Sequence, residues 1–284
     1  MRGERSRRRV RLGLSYVLLT VLGLLWLLPI GWLIVLSFRG DTTGAYTPYL
    51  WPESFTLRNY RELFTDTALF PYPRWFSNTL LVAVCTCVLS TLMVLSISYA
   101  FSRLRFRARG AMMNIGLILG MFPGFMAMVT VYHLLKAIGL EQSLAALVLV
   151  YSSTASLQYF VAKGFLDTLP YSLDEAALID GATRSDIFRK IILPLSRPMV
   201  VYTALTSFMA PWVDFIFASV IMKDNYQNYT MAVGLYQMLT RENVSRYFTR
   251  FCAGAVLVAI PITLLFIRMQ KYYVEGVTGG AVKG

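Results

Sequence analysis

Few side chains in this sequence are equipped for chemistry. It holds one histidine, His133, and three cysteines, Cys85, Cys87 and Cys252, all in apolar stretches. A lone histidine excludes an HExxH zinc site. Neither GxxxxGK[ST] nor GxSxG occurs, so the chain has no P-loop and no nucleophile elbow. Cys85 and Cys87 stand two apart, which on a helix points them to nearly opposite faces. All three cysteines read as small buried apolar residues, not as a disulfide framework. Asp214 is the one carboxylate inside an apolar run of spanning length. A charge at bilayer depth costs about 2.5–3.5 kcal/mol on insertion scales, so Asp214 must face protein or water rather than lipid. Pro211, three residues earlier, frees a backbone carbonyl nearby. Two readings stay open: Trp212 and Asp214 line a polar pathway, or Asp214 holds a neighbouring helix by hydrogen bonds. Any energy for work must come from an ion gradient or from a partner.

The elements that must position these residues are membrane helices. Hydrophobic side chains make up 56% of the 284 residues and charged ones only 15%, against about 25% charged in a typical soluble domain. A bilayer core about 30 Å thick needs roughly 20 apolar helical residues. Six runs are predicted to span it: 12–38, 75–102, 110–135, 142–162, 198–222 and 251–267. The first is too long for a signal-peptide core and is read as a retained helix. The mid-run prolines Pro29, Pro123 and Pro261 are expected to kink their helices, which membrane spans tolerate. His133 is placed near the outer end of the third span, without a function.

The net charge is +12. The arginines sit at the ends of apolar runs, as positive-inside topology requires, which argues against nucleic acid as the partner. With the N-terminus in the cytoplasm, eighteen of the 27 Lys and Arg fall on the inner side, and the short loop 102–110 alone carries Arg103, Arg105, Arg107 and Arg109. Both termini are therefore expected in the cytoplasm. No pair of similar halves is visible, which speaks against a complete secondary carrier in one chain.

The inner loop 163–197 is too long for a plain turn. Ser172 stands three before Glu175, the spacing of a capping box, and predicts a helix over about 173–180. Gly181 follows where a left-handed residue ends a helix at no Cβ cost. Thr183 and Asp186 give a second, weaker cap for a helix over roughly 184–192. Ile187, Phe188, Ile191 and Ile192 lie on one face of it, and Pro194 is expected to end it. The loop is thus a helix–turn–helix at the membrane surface, with an apolar face for its own bundle and a polar face for something in the cytosol.

The spacing E-A-A-x3-G-x9-I-x-L-P is met by Glu175, Ala176, Ala177, Gly181, Ile191, Leu193 and Pro194. It resembles the signature loop of permease subunits of bacterial ATP-binding-cassette importers. The C-terminal YYVEGVTGGAVKG at 272–284, PWVDF at 211–215 in the fifth span and YTMAVGLY at 229–236 in the outer loop are together similar to the G-type permease of maltose and maltodextrin importers. The resemblance implies an all-α membrane protein with six transmembrane helices, a type I (MetI-like) permease core and a cytoplasmic coupling helix that docks in a cleft of the ATPase. It implies one permease domain over 1–284: a tail, first helix and outer loop (1–74), a five-helix core (75–271) and a cytoplasmic tail (272–284). Glu175 matches the docking glutamate; docking and capping compete for its carboxylate. Gly279, Gly280, Lys283 and Gly284 match the tail that reaches into the ATPase dimer, against the bland reading of a frayed end. The outer stretch with Tyr229, Gly234 and Tyr236 matches a loop that either displaces sugar from the binding protein or only touches its surface.

The implied partners are a second, F-type permease, an ABC ATPase homodimer, an extracytoplasmic solute-binding protein and an oligosaccharide. The implied location is the bacterial cytoplasmic membrane. This chain is expected to bind no cofactor and catalyse no covalent step; ATP and Mg2+ belong to the partner ATPase. The rivals are a self-contained secondary sugar carrier, opposed by the single intramembrane acid, and a membrane enzyme, opposed by the lack of a paired nucleophile and base.

Overall fold

The computed structural model describes residues 2–46, 49–121, 124–154 and 156–278, with side chains except at 2–10, 125, 156–157 and 273–278. The described residues are helical, apart from turns and one isolated antiparallel bridge between Arg39 and Phe55. Two compact units are distinguished: Met1–Phe70 with Gln237–Leu257, and Pro71–Tyr236 with Val258–Gly284.

The first unit contains α1 (Arg2–Ser37), α2 (Arg58–Thr65) and the beginning of α14 (Val244–Thr278). From Arg11 to Ser37, α1 is strongly apolar and almost wholly uncovered: Leu12 is 48% exposed and Trp26 79%. A helix apolar on all sides belongs in lipid or against another helix, not in water. Beyond it the chain is fastened by polar side chains. Asn59 donates from Nδ2 to the carbonyls of Ser37 and Arg39, both at 2.9 Å. Buried Arg39 pairs with Asp41 and donates to the Tyr49 carbonyl. Arg250 of α14 pairs with Glu62 and, at 3.0 Å, with Asp66. The helix α2 within the first outer loop was not foreseen.

The second unit is built around α3 (Tyr72–Arg103), an unbroken helix of 32 residues, about 48 Å long. One face carries Thr79, Ala83, Thr86, Ser90, Val94 and Ser98, all buried. Their spacing of three and four makes a stripe of small side chains that lets neighbouring helices approach closely. Leu81, Leu89 and Leu92, on the other side, are exposed. Against α3 pack α6 (Leu144–Ser153), α7 (Ser156–Asp167) and α11 (Arg197–Val213).

Three helices are long and apolar enough to span a membrane whole, and three bent pairs supply up to three more spans. The third expected span is divided into α4 (Arg109–Met121) and α5 (Gly124–Ala137), and the fourth into α6 and α7. The fifth expected span breaks at Asp214 into α11 and α12 (Ile216–Met222). The last, expected to be the shortest, lies within the 35-residue α14. Pro29 and Pro261 sit inside continuous helices, and Pro123 is outside the described residues.

Candidate functional site

The hairpin that carries the signature spacing consists of α8 (Ser172–Ile179) and a second arm made of α9 (Arg184–Asp186), a π-helical turn (Ile187–Ile192) and α10 (Leu193–Leu195). Two local expectations are corrected. The capping box at Ser172 and Glu175 does not form: α8 starts earlier, with the Tyr171 carbonyl accepting from Asp174 N at 2.9 Å and Glu175 N at 3.1 Å. The weaker cap is the one that forms, Thr183 and Asp186 each bonding the other's backbone N–H. Pro194 does not end the second arm. A π-helical turn ahead of it, with Leu193 N donating to Phe188 O, shifts the bonding frame and accommodates the missing proline N–H. The arm Arg184–Leu195 instead meets α11 at a 79° bend around Ser196.

The signature residues divide by direction. Glu175 and Ala176 are exposed on α8 and Pro194 is exposed on the second arm. The Glu175 side chain makes no hydrogen bond or ion pair among the described residues, so the structure leaves its carboxylate unused by any cap. Ile179 beside it is 87% exposed, and Leu173 and Leu178 are partly so. Ala177 points inward, into a cluster with Tyr99, Leu166, Ile187 and Ile192, against which Ile191 also packs. Leu193 packs against a second cluster around Val94, Leu95, Ala162 and Met199. Gly181 has φ +80° and closes α8, with Ala182 N donating to Ala177 O at 2.9 Å. A residue with a Cβ would be strained there.

Sequence reasoning missed what fastens this hairpin. Arg103, read as a loop charge, is the buried last residue of α3. Its Nη2 donates to the carbonyls of Leu166 (3.1 Å) and Leu169 (2.8 Å). Its Nε lies 3.3 Å from Asp174 of α8, the two side chains being 1% and 4% exposed. Its guanidinium covers the Tyr171 ring at 4.3 Å. Tyr171 donates to Ser102 O at 2.7 Å, Ser102 to Asp167 at 2.6 Å, and Tyr99 to Arg184 O at 3.2 Å. A signal was available: Asp174 and Ala177 are three apart on one helix face, so a buried Ala177 implies a buried acid in need of a cation.

At the other end of α3 lies the stretch expected to be a loop at 229–236. It is mostly helix, α13 (Met231–Leu239). Tyr229 is 6% exposed, and its hydroxyl donates to Lys223 O at 2.7 Å. A Cβ on Gly234 would lie 2.1 Å from the Trp75 ring, so this glycine permits the contact. Tyr236, 49% exposed, is the member of the trio that faces outward. Trp75 Nε1 donates to Tyr226 O, and Asn78 Nδ2 to the carbonyls of Gln227 (2.8 Å) and Tyr229 (3.1 Å).

Asp214 occupies the break between α11 and α12. Its Oδ1 accepts from Phe217 N at 3.1 Å and its Oδ2 from the Tyr151 hydroxyl at 2.6 Å. One oxygen thus satisfies a backbone N–H at the start of α12 and the other ties the break to α6. Pro211 and Trp212 are buried, with Trp212 against Phe76 and Phe208. An apolar groove of about 570 Å³ between α3 and α6, lined by Leu81, Leu89, Val148 and Leu149, offers few of the polar groups a sugar needs. Gly279, Gly280, Lys283 and Gly284 lie outside the described residues.

Comparison with known proteins bears on the whole chain. Residues 92–279 match the family described as binding-protein-dependent transport system inner membrane component. The galactooligosaccharides transport system permease protein GanQ of Bacillus subtilis (strain 168) is 36% identical over 98% of this chain and 98% of its own. The maltodextrin transport system permease protein MdxG of the same organism is 34% identical over 95% of each chain. The maltose/maltodextrin permease protein MalG of Yersinia pestis is 32% identical over 99% of this chain and 96% of its own. Among solved structures, a bacterial ABC transporter involved in the import of the acidic polysaccharide alginate superposes with a TM-score of 0.77, 21% identity and coverage of 93% of this chain and 97% of that one. That likeness shows the fold, the helical permease core of ABC importers. The family match extends over well more than half of the sequence, so the chain belongs to the binding-protein-dependent transport system inner membrane components.

Proposed function

We propose that this chain is one of two permease subunits of an ATP-driven oligosaccharide importer, that α8 is its coupling helix, and that its substrate is a maltodextrin. The observation that carries the coupling role is the split of the signature hairpin. Its inward residues and Arg103 fix it to the bundle. Its outward residues leave Glu175 free among exposed Ile179, Leu173 and Leu178, a surface with a charge for orientation and apolar area for burial. In this reading the hairpin and both termini are cytoplasmic, and the pathway lies between this chain and an F-type permease. Two ATPase copies bind ATP and Mg2+ below, where the tail 279–284 enters their dimer. A solute-binding protein docks above, with Tyr236 within its reach. ATP binding closes the ATPase dimer, the hairpin moves with it, and the path changes sides because the two states differ in contacts to ATPase and loaded binding protein. Asp214 belongs to the frame of this machine and relays no protons.

The experiment is a pull-down with the tagged chain, probed for a co-purifying ABC ATPase, paired with uptake of labelled maltotriose in a strain lacking the chain. Glu175→Arg is expected to release the ATPase and abolish uptake while the permease stays inserted. An ATPase retained after Glu175→Arg together with loss of the tail 279–284 defeats the coupling reading. Uptake of a labelled galactooligosaccharide that depends on this chain, with no such uptake of labelled maltotriose, would reassign the substrate.

A further inference from the structure

An arginine and an aspartate both nearly sealed from solvent are costly to keep, and apolar replacements often serve stability as well or better. The hairpin already has an adhesive: Ala177, Ile187 and Ile192 pack on Tyr99 and Leu166. The ion pair must therefore supply something that apolar contact does not, which is direction. Hydrophobic packing allows an element to slide. A guanidinium held by two carbonyls at the end of α7, stacked on Tyr171 and facing Asp174, does not. The pair is also incompletely satisfied. Among the described residues Arg103 Nη1 donates no hydrogen bond and neither Asp174 oxygen accepts one, so the 3.3 Å ion pair is what compensates the Asp174 charge.

The helix that bears Arg103 is continuous to its opposite end, with prolines only before its second turn. There Trp75 and Asn78 donate to the carbonyls of Tyr226, Gln227 and Tyr229, and Thr79 accepts from Met231 N at 2.7 Å. One rigid helix thus grips the hairpin at one end and the 226–231 turn at the other. Here Arg103 and Asp174 act on the hairpin rather than on any substrate.

We infer that Arg103 and Asp174 are positioning residues that convert displacement of the coupling helix into displacement of α3, and through it of the 226–231 turn. They set how much transport each ATP yields. This rests on the transporter reading above.

The test uses the complete transporter, with its ATPase and binding protein, in proteoliposomes, with ATP and labelled maltotriose as probes. Asp174→Asn keeps the shape and removes the charge; Arg103→Met keeps the length and removes the guanidinium. Both variants are expected to retain the ATPase at wild-type stoichiometry, while maltotriose moved per ATP hydrolysed falls at least tenfold. Asp174→Glu is expected to restore most of that ratio. If Arg103→Met fails to insert, the near-isosteric Asp174→Asn carries the test. A wild-type ratio in Asp174→Asn overturns the inference. So does a loss confined to the amount of inserted protein, with an unchanged ratio in what remains, because a merely structural pair would behave that way. Failure of the wild-type complex to hold an ATPase instead strikes the transporter reading, and this inference falls with it.

Discussion

Asp214 shows how a single side chain is decided by its neighbours. The sequence permits a pathway carboxylate or a structural one, and the structure engages both oxygens in the frame. Asp214→Asn keeps an acceptor for Phe217 N and should leave uptake within about threefold, since capping by Asn and Asp is nearly equivalent. Asp214→Leu removes the cap and strands the Tyr151 hydroxyl, a loss of about 1–3 kcal/mol that thermal unfolding in detergent would register. Uptake in both wild type and Asp214→Asn should be insensitive to an uncoupler and stop on ATP depletion; the reverse pattern would make an ion gradient the energy source and Asp214 a candidate relay. Gly234 is a different case, a glycine in a helix held for space rather than for dihedral freedom. Gly234→Ala drives a methyl into the Trp75 ring and should destabilise by about 1–3 kcal/mol, as overpacking does. An unchanged melting temperature would mean that α13 can move away from α3 without cost.

At the scale of elements, the second arm of the hairpin is the piece whose cap is complete. The Lys190 ammonium, then the Thr183 hydroxyl and backbone N–H, hold the Asp186 carboxyl down at about 2, from an ordinary 3.8. A depressed carboxyl pKa stabilises the folded arm above the ordinary value, and that contribution is lost as pH falls from 3.8 to about 2. The difference in unfolding temperature between wild type and Thr183→Ala should therefore be constant from about pH 5 to about pH 8 and shrink only toward the acid limit. A step near neutrality would show that some other group titrates with the arm. The first arm differs because its start is set from outside. Tyr171 is held by Ser102 and Arg103, so Tyr171 takes the position ahead of the helix and Ser172 becomes its first residue rather than its cap.

Across the whole molecule, the uncovered apolar surface of α1 and the exposed leucines of α3 require lipid or partner helices around them. The orientation proposed above rests on the excess of Lys and Arg on one side of the spans. With Cys85, Cys87 and Cys252 replaced by alanine, a cysteine at Arg107 should react with a membrane-impermeant maleimide only in opened cells, and one at Gln227 in intact cells. Labelling of position 107 in intact cells would invert the topology and place the hairpin on the wrong side for an ATPase.

The sequence by itself determined the number of apolar runs, their charge asymmetry and the hairpin with its glycine turn. Each of these is written in residues that are near neighbours along the chain, where helical period and capping spacing apply. The breaks at Asp214 and Ser196, the unused carboxylate of Glu175, and the change of Arg103 from loop charge to buried anchor were decided only by tertiary structure. Tertiary pairs such as Tyr151 with Asp214, Arg103 with Asp174, and Trp75 with Tyr226 and Gly234 lie about 63 to 159 residues apart. Such pairings obey no local period. They follow from which helices meet, because a buried charge or hydroxyl must find whatever partner the packing brings to it.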